Sequence, residues 1–272
     1  MQIKNIFVMF FLLSALSLAD RLQPVNYEFV FTEARETQTV TESRVLFWAA
    51  RTENAESVKL TASLRLVDLP YLDAAGQRLA RNVVYNGQSV ADYAKVRFAE
   101  FAAEVSASAF PSSAGYSYDE QIKISVAAPQ FVSLRQTIYA FTGGAHGRTS
   151  ENIFVLDLDA GRRLAIADVL TASAELTMRL ETLLRQKYNM RPGDVFSGAV
   201  WPPDNFDFTA AGLELSWGQY VIGPYVWGLP AVVLPYAELQ PFLNARGREI
   251  VRILSSPVTR FNAASLPPSR QK

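Results

Sequence analysis

Between Asp20 and Leu69 apolar and polar residues alternate with a period close to two. Val25, Tyr27, Phe29 and Phe31 make the first run, Val40, Val45 and Phe47 the second, Val58, Leu60, Leu64 and Leu66 the third. Side chains of a strand point alternately to its two faces, so this spacing predicts several antiparallel strands, each with one wet face. The period then changes. Val90, Ala94, Phe98, Phe101 and Val105 recur at helical spacing, and Ser89-x-x-Asp92 ahead of them has the form of a capping box. Phe110-Pro-Ser-Ser-Ala-Gly115 is rich in breakers and marks a boundary.

Period two resumes beyond it. Ile122, Ile124 and Val126 line one side of a strand over Tyr116 to Ala128. The stretch from Ser133 to Asp159 reads as strand, glycine-rich turn, strand. Ile138 and Ala140 oppose Tyr139 and Phe141 in the first arm; Ile153 and Val155 oppose Phe154 and Leu156 in the second. Both arms are apolar enough to be buried on both faces. Between them, Gly143, Gly144 and Gly147 admit positive φ, where a side chain would clash. Asp159-Ala-Gly161 is a turn, and Asp168 is placed to cap a short helical turn. Leu176, Leu180, Leu183, Leu184 and Tyr188 predict a second amphipathic helix ending near Pro192-Gly193. Phe206, Phe208, Leu213 and Leu215 flank a hairpin turn at Ala211-Gly212, Trp201-Pro-Pro-Asp204 forms a rigid loop, and Tyr236 to Leu243 reads as a closing helix. The fold class this predicts is α+β: antiparallel sheets with two main amphipathic helices.

Several of these segments, in this order, resemble a known family. Tyr139-Ala-Phe-Thr-Gly-Gly-Ala-His146, Phe154-Val-Leu-Asp-Leu-Asp-Ala-Gly161, Leu164-Ala-Ile-Ala-Asp168 and Pro224-Tyr225-Val-Trp-Gly228 are similar to the exported domain of unknown function found in the anti-sigma factor RsiV and the peptidoglycan deacetylase PdaC. The resemblance covers roughly Ile122 to Leu243. It implies an RsiV-like C-terminal domain at 111–254, preceded by a PdaC-like strand-and-helix segment at 20–110. It also implies a ligand class, a muralytic protein such as lysozyme or the peptidoglycan wall. It does not imply deacetylation, because the catalytic domain of PdaC has no counterpart here.

Composition narrows the compartment. Residues 1–19 carry one charge, Lys4, then an apolar run from Ile6 to Leu13, and Ser17 and Ala19 suit a cleavage site before Asp20. The apolar run falls short of the roughly 20 residues a span needs, so we expect cleavage, export, most simply to a periplasm, and no stable membrane insertion afterwards. There is no cysteine, hence no disulfide and no thiolate chemistry. Lys4 is one of 26 basic residues against 26 acidic ones, so its loss leaves a formal charge of −1. That balance gives no reason to expect nucleic acid as a partner, and it lacks the acidity that a cationic lysozyme would favour. The tail at 255–272, with three prolines, has little to bury and is expected to be disordered.

Candidate chemistry is sparse. His146 is the single histidine of the chain. As a metal ligand it lacks histidine or cysteine companions, and as a general base it lacks a nucleophile motif. We therefore expect no metal and no cofactor, and expect His146, with Gly143 and Gly144, to shape the turn. Asp157, Asp159 and Asp168 stand where strand ends and caps use aspartate; a glycan hydrolase using carboxylates near His146 is the enzymatic alternative. Tyr220, Tyr225 and Trp227 lie in an aromatic stretch interrupted by glycines and a proline, and Trp201 sits beside two prolines. Such residues either fill a core or anchor a ligand from a loop.

Overall fold

The computed structural model describes residues 24–255 apart from 38–39, 54–55, 68, 70–71, 108–114, 128–129, 192–193 and 196–199; side chains are described from residue 62 to residue 253, save 106 and 127. The expected signal segment, the boundary at 110–114 and the tail from 256 onward lie outside the described residues.

Strands β1 (Pro24–Thr37), β2 (Val40–Glu53) and β3 (Glu56–Val67) form an antiparallel meander, with Phe29 opposite Phe47 and Phe47 opposite Ala62. The expected alternation is visible where side chains are described: Ala62, Leu64 and Leu66 are buried, Ser63 and Arg65 less so. Strand β4 (Tyr116–Ala127) then pairs with β3 in parallel, Leu60 opposite Tyr116 and Arg65 opposite Gln121. A parallel pair needs a crossover, because a tight turn cannot return the chain to the same end of the sheet. Two helices supply it, α1 (Ala74–Val84) and α2 (Val90–Ala107). The antiparallel strands expected up to Leu69 are present, while the parallel β3–β4 pair and helix α1 are additions to that expectation. Strands β5 (Phe131–Phe141), β6 (Arg148–Asp157) and β7 (Arg162–Arg163) complete a seven-stranded sheet whose order follows the sequence.

The described residues form two compact units that alternate along the chain: one spans 24–71, 85–122 and 137–148, the other 72–84, 123–136 and 149–255. In the first unit α2 begins where the sequence places it. Ser89 Oγ accepts from the Asp92 amide at 3.1 Å and donates to the Asp92 carboxylate at 2.7 Å. Ala94, Phe98, Phe101 and Val105 are buried along one stripe, and the Phe101 ring lies 5.5 Å from that of Tyr118. Glu120 is fully buried, which would be costly for an unpaired carboxylate. Tyr93 and Tyr118 donate their hydroxyls to it at 2.8 and 2.6 Å, and Arg97 Nε approaches at 3.4 Å. Burial, and then the Glu120 charge, push the Tyr118 hydroxyl far above its ordinary pKa.

The second unit packs a small sheet against α3 (Ala174–Tyr188). Ser173 caps α3 by accepting from the Leu176 amide at 3.1 Å, and Asn189 ends it in the left-handed conformation at φ 51°. Leu176, Leu180 and Leu184 are completely buried, each worth roughly 1.5–3 kcal/mol of transfer free energy. The small sheet has the order β10-β9-β8, from β8 (Phe206–Phe208), β9 (Gly212–Ser216) and β10 (Ala231–Pro235), with the hairpin turn at Ala211-Gly212 as expected. Helix α4 (Tyr236–Leu239) runs into a 3₁₀ turn over Gln240–Phe242 where a closing helix was expected. A further helix, not among the expected elements, follows: α5 (Ala245–Ser255), which buries Gly247, Ile250 and Val251. Among the described residues no helix is long and apolar enough to cross a membrane.

Candidate functional site

The glycine turn joins β5 to β6 in the first unit. Gly143 and Gly144 take φ of 100° and 87°, the positive range expected of them. Gly147 serves differently: its φ is not positive, but a Cβ there would lie 2.4 Å from the Tyr139 ring. Tyr139 thus lies flat against a bare backbone, itself 38% exposed rather than buried as the apolar character of the arm implies. His146 is exposed, and its Nδ1 is 3.1 Å from the carbonyl oxygen of Gly147. Among the described residues no group of three or more histidine, aspartate or glutamate side chains is arranged to hold a metal ion.

Two of the three aspartates considered as chemistry, Asp157 and Asp168, are engaged with arginines in the second unit. Asp157 is buried, pairs with Arg246 and accepts from the Ala160 amide at 2.9 Å. Asp168 accepts two bonds from Arg162 at 2.7 and 2.8 Å and one from the Ala165 amide at 2.8 Å, capping the 3₁₀ turn Ile166–Asp168. The Arg162 guanidinium holds the Asp168 carboxyl below its ordinary pKa. Asp159 is exposed in its turn.

The aromatic stretch divides between core and surface. Trp217 is buried, and its Nε1–H donates to the Trp201 carbonyl at 3.2 Å, leaving the Trp201 ring about half exposed. Pro224-Tyr-Val-Trp-Gly228 is a single 3₁₀ turn over Tyr225–Trp227, closed by Gly228 at φ 63°. The Trp227 ring lies on the backbone of Gly223, where a Cβ would come within 1.8 Å of it, and faces Tyr188 at 5.9 Å. Tyr220 sits at φ 62°, an uncommon conformation for a residue with a side chain, and its ring faces that of Tyr225 at 5.7 Å. The loop is therefore held from below by Trp217 and Trp227. It presents Tyr220, Val221 and Val226 outward, at 55%, 43% and 82% exposure.

A third group lies outside the residues singled out from the sequence. Arg135 on β5 donates from Nη1 to Glu151 at 3.0 Å and to Glu214 at 2.9 Å, and from Nη2 to Asp207 at 3.3 Å. Asp207 and Glu214 stand directly opposite each other on β8 and β9. Like charges in that register repel, and the single guanidinium offsets them. Ser133 donates to Asp207 at 2.6 Å and Ser216 to Glu151 at 3.1 Å. Burial pushes the Asp207 carboxyl above its ordinary value, against the serine hydrogen bonds and the Arg135 charge. At Arg135 burial works against the charge, but the Glu214 bond and the three nearby carboxylates outweigh it and hold the guanidinium above its ordinary pKa. The guanidinium bridges the three carboxylates and so ties β5 to β6, β8 and β9. The available signal was a charged residue inside an apolar triplet, Phe206-Asp-Phe208 and Leu213-Glu-Leu215.

Relatives of this fold are known, although no curated protein matches the sequence. Residues 163–237 match the profile of a family described as protein of unknown function, DUF3298. A crystal structure of a DUF3298 member from Bacteroides fragilis NCTC 9343 is similar with a TM-score of 0.62 at 17% identity, over 81% of this chain and 99% of that one. A DUF3298 protein from Pseudomonas aeruginosa PAO1 gives 0.51 at 16% identity, over 85% and 98%. The chain thus has the fold of DUF3298 proteins of known structure and carries that family's sequence match across residues 163–237.

Proposed function

We propose that the chain is an exported, non-enzymatic binding protein of the cell envelope, of the RsiV/PdaC-like branch of this family, and that the loop from Trp217 to Gly228 is its contact surface. The observation that carries the reading is the outward display of Tyr220, Val221 and Val226 on a loop pinned by buried Trp217 and by the Trp227–Gly223 contact. Exposed apolar side chains clustered in sequence on a pre-shaped loop lose little conformational entropy on binding and gain desolvation area. Trp201, joined to Trp217 through its carbonyl, adds a further exposed ring.

The proposed ligand is a muralytic protein such as lysozyme, or the peptidoglycan wall itself, with the periplasm as the site of action. The glycine turn with Gly143, Gly144 and His146 serves as scaffold in this reading. A binding screen of the purified mature chain against lysozymes and soluble muropeptides tests it. Saturable binding that Tyr220→Ala and Val226→Asp weaken by tenfold or more, about 1.4 kcal/mol, supports the loop; binding indifferent to both substitutions removes it.

A further inference from the structure

The segment between Glu214 and Glu238 carries no charged side chain, and it contains the whole Trp217–Gly228 loop. Lys187, which reaches the strand after the loop, is engaged with the Ala231 carbonyl at 2.7 Å and with the Tyr188 ring. A charged group set against this loop would give up water without gaining a counter-charge. That disfavours the carboxylates and amines of a wall peptide, and equally a strongly cationic protein.

The loop offers ring faces beside a polar edge. The rings of Tyr220 and Tyr225 stand 5.7 Å apart with 34° between their planes, and Tyr220 is more than half exposed. Beside it in sequence, Gln219 Oε1 accepts from the Thr149 amide at 2.9 Å. That bond fixes the side-chain amide and leaves the two protons of Nε2 to be donated elsewhere. A sugar ring has the matching duality, with C–H groups on its faces and hydroxyl or acetamido groups on its edges. Aromatic side chains bury apolar faces of that kind while their polar ends stay hydrogen-bonded.

On the reading that this loop is the contact surface, we infer that its ligand is the uncharged glycan strand of the wall, an N-acetylated sugar chain. The Tyr220–Tyr225 pair is the stacking platform, and Gln219 Nε2 donates to a hydroxyl or acetamido oxygen. Val221 and Val226, each next in sequence to one of the tyrosines, shed water at its rim.

The test titrates the purified mature chain calorimetrically with four probes: a tetramer of N-acetylglucosamine, the wall stem peptide alone, a muropeptide carrying both, and lysozyme. The tetramer and the muropeptide should bind saturably and the stem peptide should not. Tyr220→Ala should weaken the tetramer about tenfold, and Tyr220→Phe, which keeps the ring face, should bind it more tightly than Tyr220→Ala. Gln219→Glu keeps an acceptor for the Thr149 amide and loses the donors, so it should weaken the tetramer about threefold. Binding of the muropeptide with the stem peptide but not the tetramer, or of lysozyme alone, overturns the glycan inference and leaves the contact surface standing. Tetramer binding indifferent to Tyr220→Ala overturns the platform. No binding of any probe by the wild-type chain, which needs no variant to fold, overturns both.

Discussion

Replacing Arg135 with methionine should test how far the second unit depends on one guanidinium. The side chain keeps its length and loses its charge. Three carboxylates are left behind: Asp207 at 1% exposure, Glu151 at 11% and Glu214 at 20%. Removing one partner of a buried pair costs about 3–5 kcal/mol. Arg135 itself is 24% exposed, and water reaches the cluster from that side, so about 3 kcal/mol at neutral pH is the expected loss. The loss should depend on pH in a definite sense. Asp207 already has its folded pKa raised by burial. A group of that kind favours the fold when protonated, and the advantage fades as pH rises through its folded pKa. Without the guanidinium only serine hydroxyls oppose burial, so Asp207 rises further and takes up its proton earlier on acidification. The gap between wild type and Arg135→Met should therefore narrow from about pH 7 to about pH 4. Urea unfolding of both proteins across that range, with Asp207→Asn as a second background, measures it. In the Asp207→Asn background the narrowing should largely disappear. A loss below about 1 kcal/mol at neutral pH, or one independent of pH, would refute the argument that the guanidinium offsets buried negative charge.

Three substitutions address the glycine turn. Gly147→Ala should lower stability by about 1–3 kcal/mol, because the new methyl group meets the Tyr139 ring at 2.4 Å, and Tyr139→Ala in the same chain should recover part of the loss on thermal melting. Gly143→Val should cost about 1–3 kcal/mol through backbone strain at φ 100°, and here Tyr139→Ala should recover nothing. His146→Ala should change stability by less than about 1 kcal/mol, since the imidazole is exposed; a larger change in denaturant midpoint would assign it a heavier structural load.

How much of this was legible in the sequence depended on distance along the chain. Local devices could be read: Ser89 capping α2, the buried stripe Leu176, Leu180 and Leu184, the positive φ at Gly143 and Gly144, and Asp168 capping a short turn. Helix α1 escaped because its buried stripe is Gly76, Ala80 and Val84. Its period is nonetheless marked, with Arg78, Arg81 and Asn82 on the exposed side, but small residues in place of large apolar ones do not announce a core. Helix α5 is likewise amphipathic, with four charged residues among its eleven set against Ile250 and Val251. The parallel pairing of β3 with β4 is decided by the crossover helices between them, and no period within either strand records it. The Arg135 cluster is the clearest case. Its members lie as much as 79 residues apart, and each alone reads as a polar position on a strand. Only the register that sets Asp207 against Glu214 shows why an arginine is needed between them.

The central claim is that this chain binds through the Trp217–Gly228 loop and does no chemistry. Calorimetric titration of the mature protein with lysozyme and with soluble muropeptides, followed by mass analysis of the muropeptides after incubation, tests it most directly. The account predicts saturable binding of one of these, weakened at least about tenfold in Tyr220→Ala/Val226→Asp, with the muropeptides recovered intact. Muropeptides cleaved or deacetylated by the wild-type chain, or binding that survives loss of both side chains, would contradict it.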